Sequence, residues 1–293
     1  LKIAEGCDNR CSYCVIPSLR GRYRSRPAQE LVEEAESLAR RGVRELVLVA
    51  QDTTRYGEDL YGRPALAGLL RSLAKVEGIE WLRVLYGYPD RITDELIDVI
   101  ASEPKIVKYI DIPIQHVNAR ILKAMNRRGT KEELVTLIAK LRARIPGLTL
   151  RTTVITGFPG ETEEEFAELV QFVKDMQFER LGAFAYSCEE GTAASLMEDQ
   201  IPDDVKKHRQ ELVMEEQSEI SAQKNAESVG KKIRVLAEGY DRWAECCFGR
   251  SASDAPEIDG KVFFSSKDKV RPGSFVDVIV EDVMDYDLMG TVV

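Results

Sequence analysis

Cys7, Cys11 and Cys14 fall within the single segment Glu5-Gly-Cys-Asp-Asn-Arg-Cys-Ser-Tyr-Cys. Three thiolates offered by one loop can ligate three irons of a four-iron, four-sulfur cluster and leave the fourth iron open to a small molecule. A structural zinc site would want a fourth Cys or His, and a ferredoxin-type cluster a fourth Cys. No further Cys or His follows until His116. The flanking Gly6, Asp8, Asn9, Arg10 and Ser12 have the composition of a loop, whereas a free cysteine packed as a small hydrophobe usually stands alone in a core. The remaining cysteines, Cys188, Cys246 and Cys247, are scattered in a chain too large to need disulfide staples. They read as structural.

A loop of this kind needs a rigid frame, and the sequence supplies one. Strand-like runs at Lys2–Ala4, Glu45–Ala50, Trp81–Tyr86, Val107–Ile112, Thr149–Thr156 and Arg180–Tyr186 alternate with helix-like segments. Residues 28–41 gather Leu31, Val32, Ala35, Leu38 and Ala39 on one helical face. Thr162 with Glu165, and Thr130 with Glu133, have capping-box spacing ahead of two further helices. The run Glu45-Leu-Val-Leu-Val-Ala reads as a strand covered on both faces. Six strand–helix units predict a parallel α/β sheet that is too short for an eightfold barrel and lacks a glycine-rich dinucleotide fingerprint. The fold class expected is therefore an open, partial (β/α)6 TIM-like barrel over residues 1–228. Its chemistry should collect at the C-terminal ends of the strands, where the cysteine loop falls.

Residues 203–227 read as a charged helix that closes the barrel or leads out of it. From Gly230 the pattern changes to five short strands, Lys232–Glu238, Trp243–Phe248, Gly260–Phe264, Phe275–Val280 and Leu288–Val293, with turns such as Asp259-Gly260 and Pro272-Gly273. These predict a small five-stranded OB-like β-barrel over 229–293.

The chain has 293 residues and a net charge of −9. That balance argues against a surface devoted to nucleic acid, although it leaves room for a local basic groove and for a basic protein partner. No apolar run reaches membrane-spanning length and no signal peptide is visible, so no membrane partner is expected; low cysteine density and a reducible cluster point to a cytoplasmic protein. The chain starts at Leu1 and enters a strand at once, which suggests that a further segment precedes it.

These motifs, in this order, resemble the methylthiotransferase family of radical S-adenosylmethionine enzymes. The resemblance rests on the cysteine segment, on Gly21-Arg-Tyr-Arg-Ser-Arg-Pro27, on Asp111-Ile-Pro-Ile-Gln-His116, on Arg127-Arg-Gly-Thr130, on Thr156-Gly-Phe-Pro-Gly-Glu-Thr162 and on a C-terminal segment similar to a TRAM domain. It covers essentially the whole chain. Within the family, Glu189-Glu190-Gly191-Thr192 differs from the Arg-Pro-Gly-Thr of the transfer-RNA branch. Asp254-Ala-Pro-Glu-Ile-Asp-Gly260 and Tyr286-Asp-Leu288 resemble the branch that modifies a ribosomal protein. From Gly230 onward nine Lys or Arg stand against twelve Asp or Glu, whereas a module gripping RNA phosphates should lean basic.

The resemblance implies an enzyme that installs a methylthio group on the β-carbon of an aspartate in small-subunit ribosomal protein twelve. The alternative is a transfer-RNA adenosine as substrate. A third reading, an inert barrel with a recruiting TRAM-like module, sits poorly with an intact cysteine triplet. The implied cofactors are one [4Fe-4S] cluster on Cys7, Cys11 and Cys14, and S-adenosylmethionine. A second, auxiliary cluster is expected on an N-terminal domain that this sequence does not include, so the chain should cleave S-adenosylmethionine reductively without completing methylthiolation. The implied partners are the ribosomal protein, held through the TRAM-like domain, and a one-electron reductant.

Individual positions carry further expectations. Tyr13 matches an aromatic position beside the adenine, or is plain packing. Gln51, ending the second strand, matches a contact to the methionine moiety, with Asp52 beside it. Pro113 and Gln115 end the fourth strand at the nucleotide's level. Arg151 and Thr153 share a face of the fifth strand opposite Leu150 and Val154. A lumen-facing arginine is costly unless it meets an anion, for which the methionine carboxylate is a candidate. Arg20, Arg22, Arg24 and Arg26 should share a face of an extended stretch, either serving the cluster or substrate, or forming a solvated charged loop. Gly157, Pro159 and Gly160 form a turn whose backbone N–H groups could approach a ligand. His116 is a ligand, a base or a packed histidine.

Overall fold

A computed structural model describes residues 1–293. Its strands are β1 (Ala4–Glu5), β2 (Arg24–Ser25), β3 (Glu45–Leu48), β4 (Trp81–Val84), β5 (Ile106–Asp111), β6 (Thr149–Thr156), β7 (Arg180–Ala185), β8 (Lys232–Asp241), β9 (Cys246–Ser251), β10 (Val262–Ser265), β11 (Phe275–Met284) and β12 (Asp287–Val292). The helices are α1 (Ile16–Arg20), α2 (Ala28–Arg40), α3 (Glu58–Tyr61), α4 (Leu66–Ala74), α5 (Asp94–Ser102), α6 (Ala119–Ala124), α7 (Lys131–Arg144), α8 (Glu163–Met176) and α9 (Asp203–Ala226).

β3 to β7 form one parallel sheet in sequential order, with helices on its outer face. The expected first strand survives as a single parallel bridge, Lys2 to Val49. Ile3 N–H donates to the Val49 carbonyl and Val49 N–H to that of Leu1. The chain then turns away, and β1 pairs antiparallel with β2. The partial barrel therefore has five full strands and a sixth reduced to one rung. Leu31 and Ala35 of α2, Leu69 and Leu73 of α4, Leu134 and Ile138 of α7, and Phe166 and Leu169 of α8 are buried in one continuous core on the helix side. Both sequence-read capping boxes form, Thr130 with Glu133 and Thr162 with Glu165, so α7 and α8 start where the chain says they should.

α9 covers the exposed edge of β7, as an unpaired edge requires. Gln210 donates to the Ala183 carbonyl at 2.8 Å and buried Gln217 to that of Phe178 at 3.0 Å. The C-terminal strands close into a barrel in the order β10-β12-β11-β8-β9 around Val235, Val262, Phe264, Val278 and Val280. Here one sequence expectation fails. Trp243 does not start a strand; it lies 98% exposed in the turn that follows a longer β8. Asp241 fixes that turn by accepting from the N–H groups of Trp243 and Ala244.

The two units meet at the strands' N-terminal ends. Trp81, Leu85, Val107 and Tyr109 from the sheet form one apolar cluster with Leu236 and Ala255 from the small barrel. The Trp81 and Phe275 rings meet edge to face at 4.7 Å. The loop after β9 is anchored to the first residues of the sheet strands. Ser253 accepts from the Thr149 hydroxyl at 2.9 Å, and Asp254 accepts from Arg180 at 2.7 Å. Arg83, fully buried, donates to Glu45 and to the carbonyls of Ser251 and Ala252. Arg250 crosses back to Glu45 at 2.6 Å. No helix is long and apolar enough to cross a membrane.

Candidate active site

At the opposite end, a cavity of about 420 Å³ opens above the strand termini, within the range of small-molecule sites of roughly 300–1,000 Å³. Cys7, Cys11 and Cys14 line it together with Tyr13, Gln51, Tyr86, Tyr88, Gln115 and Arg127. Three of the five positions expected to bind cofactor thus join the three thiols.

The cysteine loop is held from several directions. Gly6 turns the chain at φ +80°, where a Cβ would come within 2.2 Å of the Arg22 carbonyl oxygen, so only glycine fits. Cys7 N–H donates to the Gly21 carbonyl, and Ser12 donates through its N–H to Met125 and through its hydroxyl to Ala124. Asn9 donates to buried Asp52 at 3.0 Å, and Asp52 also accepts from the Thr54 hydroxyl at 2.6 Å. Asp52 therefore supports the loop, while its neighbour Gln51 lines the cavity.

Two cavity residues are in the left-handed region without being glycine, Tyr86 at φ +60° and Gln115 at φ +69°. Such conformations cost about 1–3 kcal/mol each and persist only where the surroundings impose them. The Asp111 side chain accepts the Tyr86 N–H at 2.9 Å, and its carbonyl accepts that of Gly87 at 2.9 Å. Gln115 is clipped on both sides, donating to the Thr153 carbonyl and accepting from Ile155 N–H.

The thiols are half-buried and unbridged. Burial pushes the Cys7 and Cys14 thiols up, and the neighbouring Cys11 adds to this. The protein alone thus disfavours three thiolates, and a positively charged metal group would supply the missing charge. No three or more His, Cys, Asp or Glu side chains converge closely enough to hold a single metal ion. Three thiols with no fourth Cys or His beside the cavity suit a cluster with one open iron better than a structural zinc site.

Sequence reasoning left two contributors unassigned. Arg127 stacks over the Tyr88 ring at 4.0 Å and donates to the Pro113 carbonyl at 2.6 Å. Burial disfavours its charge, but Tyr13, Tyr88 and Cys11 beside it hold its pKa above the ordinary value. The Tyr88 hydroxyl lies 3.9 Å from the Cys11 sulfur. The motif Arg127-Arg-Gly-Thr130 was visible in the sequence; nothing local showed that its first arginine turns into the cavity.

Other expected positions lie elsewhere. Arg151 and Thr153 do not line the cavity. The anion Arg151 meets is Asp111, at 3.0 Å, with Asp259 at 3.6 Å and the Thr153 hydroxyl at 3.2 Å. The four arginines do not share an extended face. Arg20 ends α1 near Glu5, Arg22 pairs with Asp8, Arg24 donates to the Arg20 and Arg22 carbonyls, and Arg26 pairs with Glu34. The Gly157–Gly160 turn offers no free N–H at its glycines. Gly157 donates to Glu161 and Gly160 to the Asp199 carbonyl, and a Gly157 Cβ would strike Lys206 of α9 at 2.3 Å. His116 is packed: its Nδ1 accepts from Asn118 N–H, and its Nε2 faces the Glu161 carboxylate at 3.7 Å. Cys188 is exposed, while Cys246 and Cys247 lie on β9, far from the cavity in the chain.

Residues 1–173 match the family model of the Radical SAM superfamily. The chain belongs to that superfamily. Residues 229–293 match the TRAM domain model. Among curated proteins the chain is similar to the ribosomal protein uS12 methylthiotransferase RimO of Pelotomaculum thermopropionicum, 56% identical over 100% of this chain and 66% of the relative. It is 53% identical to the RimO of Caldanaerobacter subterraneus subsp. tengcongensis, over 99% of this chain and 66% of that protein. The chain thus spans just under two thirds of the length of these relatives.

Two solved radical S-adenosylmethionine proteins share the fold. They are the methyltransferase TsrM of Kitasatospora setae, with cobalamin and a [4Fe-4S] cluster bound (TM-score 0.52, 22% identity, 63% of this chain and 36% of that one), and the coproporphyrinogen III oxidase HemN of Escherichia coli (TM-score 0.51, 18% identity, 76% and 52%).

Proposed function

We propose that this chain is the radical-generating and C-terminal part of a RimO-like methylthiotransferase, acting on the β-carbon of an aspartate in ribosomal protein uS12. The observation that carries the chemistry is the meeting of Cys7, Cys11 and Cys14 with Gln51, Gln115, Tyr13 and Arg127 around one cavity at the strand ends. The specificity rests on relatives about half identical over the whole chain and on the acidic balance beyond Gly230.

In this reading Cys7, Cys11 and Cys14 would hold one [4Fe-4S] cluster at the cavity they line. When bound, the cluster and S-adenosylmethionine together supply a radical able to take hydrogen from an unactivated carbon, which no acid or base of the protein could do. The chain's own residues position and shield. Gln51 and Gln115 make no side-chain hydrogen bond in the structure, so their amides are free to orient the methionine moiety. Tyr13 and Tyr88 wall the space with aromatic surface, and Arg127 supplies a fixed positive charge beside Cys11. Groups fixed in this way orient the reacting atoms toward one another. A one-electron reductant is required, and a reducing compartment such as the cytoplasm suits it.

Binding of the anaerobically reconstituted protein to ribosomal protein uS12 and to transfer RNA, each across a salt series, tests the substrate. Tighter binding to the ribosomal protein supports the reading, and its loss on deletion of residues 230–293 gives the TRAM domain the recruiting role. Preference for transfer RNA with a steep salt slope overturns the substrate assignment.

A further inference from the structure

The loop that joins the small barrel to the base of the sheet also reaches toward the cavity wall. Asp259 sits in that loop. One of its oxygens accepts the Tyr109 hydroxyl at 2.6 Å, and the other lies 3.6 Å from Arg151 Nε. The same carboxylate accepts the Ala255 N–H at 2.8 Å, which fixes it to its own loop. Arg151 then donates through Nη1 to Asp111 Oδ1 at 3.0 Å. The second oxygen of Asp111 accepts the N–H of Tyr86, the left-handed residue on the cavity wall. Asp111 is 1% and Arg151 9% exposed, so water cannot replace a lost partner cheaply.

We propose that Arg151 is a positioning residue, and that Asp259 of the C-terminal domain acts through Arg151 and Asp111 to hold the Tyr86–Gly87 wall of the cavity in its binding conformation. Tyr86 at φ +60° does not stay there unaided. Thr53 and the Asp111 carbonyl hold the segment's backbone, and the Tyr86 N–H is held by a carboxylate whose other oxygen accepts from a guanidinium that is ion-paired with the second domain. The TRAM domain thus does more than carry a surface: one of its side chains completes the support of the first domain's site.

Asp254 provides the control within the same loop. It ties Arg180 to the same base at 2.7 Å and accepts from Ser251; it makes no contact with Arg151 or Asp111 and reaches Asp259 only through the neighbouring Arg180. Asp259→Asn keeps an acceptor for Tyr109 and removes the charge facing Arg151. Hydrogen–deuterium exchange of the Tyr86 and Gly87 amides in the full chain is the primary readout. S-adenosylmethionine affinity of the cluster-loaded protein is the second.

In D259N the exchange should rise about tenfold, as expected for loss of one buried ion-pair partner of Arg151, and the affinity should fall. In D254N both changes should be clearly smaller. Unchanged Tyr86 and Gly87 exchange in D259N, or an equal rise in D254N, overturns the proposal, the second by showing only general loosening of the domain. Should D259N not fold, Arg151→Lys gives the same test. It keeps the buried charge and loses the two-sided geometry, so exchange rises if the proposal holds and stays level if it fails. Failure of the unaltered chain to bind ribosomal protein uS12, with exchange rising in D259N as expected, would strike the substrate reading alone.

Discussion

At the base of the sheet, Arg83, Arg180 and Arg250 are each within 3.0 Å of a carboxylate from Glu45 or Asp254. At the other end, the side chains of Gln51 and Gln115 and the thiols of Cys7, Cys11 and Cys14 face a cavity with no charged side chain of the protein paired to them. Both ends are built from polar residues on the same strands. One spends its polar groups on each other and joins two domains; the other keeps them open and relies on backbone ties to hold them apart. The difference teaches that an arginine in the lumen says little by itself. What decides its role is whether the protein supplies its anion.

The contrast can be broken at its base first. Glu45→Ala leaves buried Arg83 without an ionic partner and Arg250 with Glu238 alone. It should lower unfolding stability by about 3–5 kcal/mol, measured by urea denaturation of the cofactor-free protein.

Behind the cavity, the pair of His116 and Glu161 should give an intermediate, pH-dependent effect. Burial lowers His116 to about 4 and raises Glu161 to about 7. Between about pH 4 and 6.5 the unfolded histidine binds more protons than the folded one, so its contribution to stability rises with pH. Over about pH 4.5 to 7 the folded glutamic acid binds more protons than the unfolded one, so its contribution falls with pH, and the two oppose. Glu161→Gln should remove the falling part and leave stability that climbs from pH 4 to 6.5 by on the order of 2 kcal/mol. A flat profile in that variant would contradict the buried, neutral histidine.

Gly6→Ala should act locally. Its Cβ has no room beside the Arg22 carbonyl, so the cysteine loop must shift. Iron retention should fall several-fold at a stability cost of about 1–2 kcal/mol. Smallest on the stability scale is Cys11→Ala at the open end. It should change unfolding of the cofactor-free protein by less than about 1 kcal/mol while abolishing cluster binding.

Much of this arrangement was legible in the sequence, for identifiable reasons. The strand runs and the two capping boxes are local signals, and β6 falls where its residues place it. The thiol trio and Gln51, Gln115 and Tyr13 reach one cavity because loop position after a parallel strand is itself predictive. What stayed hidden depends on distant partners. The requirement that Arg151 meet an anion was sound, but Asp111 and Asp259 supply one from strands and loops remote in sequence. The left-handed Tyr86 carries no local mark, since its N–H is held by the Asp111 carboxylate and its carbonyl by Thr53, both remote in sequence. Trp243 looked like a strand residue by type and is a turn residue by the two hydrogen bonds that Asp241 accepts.

The division between the two ends is tested most directly by electron spin resonance of the anaerobically reconstituted, reduced protein with and without S-adenosylmethionine, with iron counted alongside. About four irons per chain, a reduced-cluster signal that changes on adding S-adenosylmethionine, and loss of both in the Cys7, Cys11, Cys14 to Ala triple variant are the expected results. Iron and signal persisting in that variant, or a wild-type signal indifferent to S-adenosylmethionine, would contradict the assignment of the open end as the cofactor site.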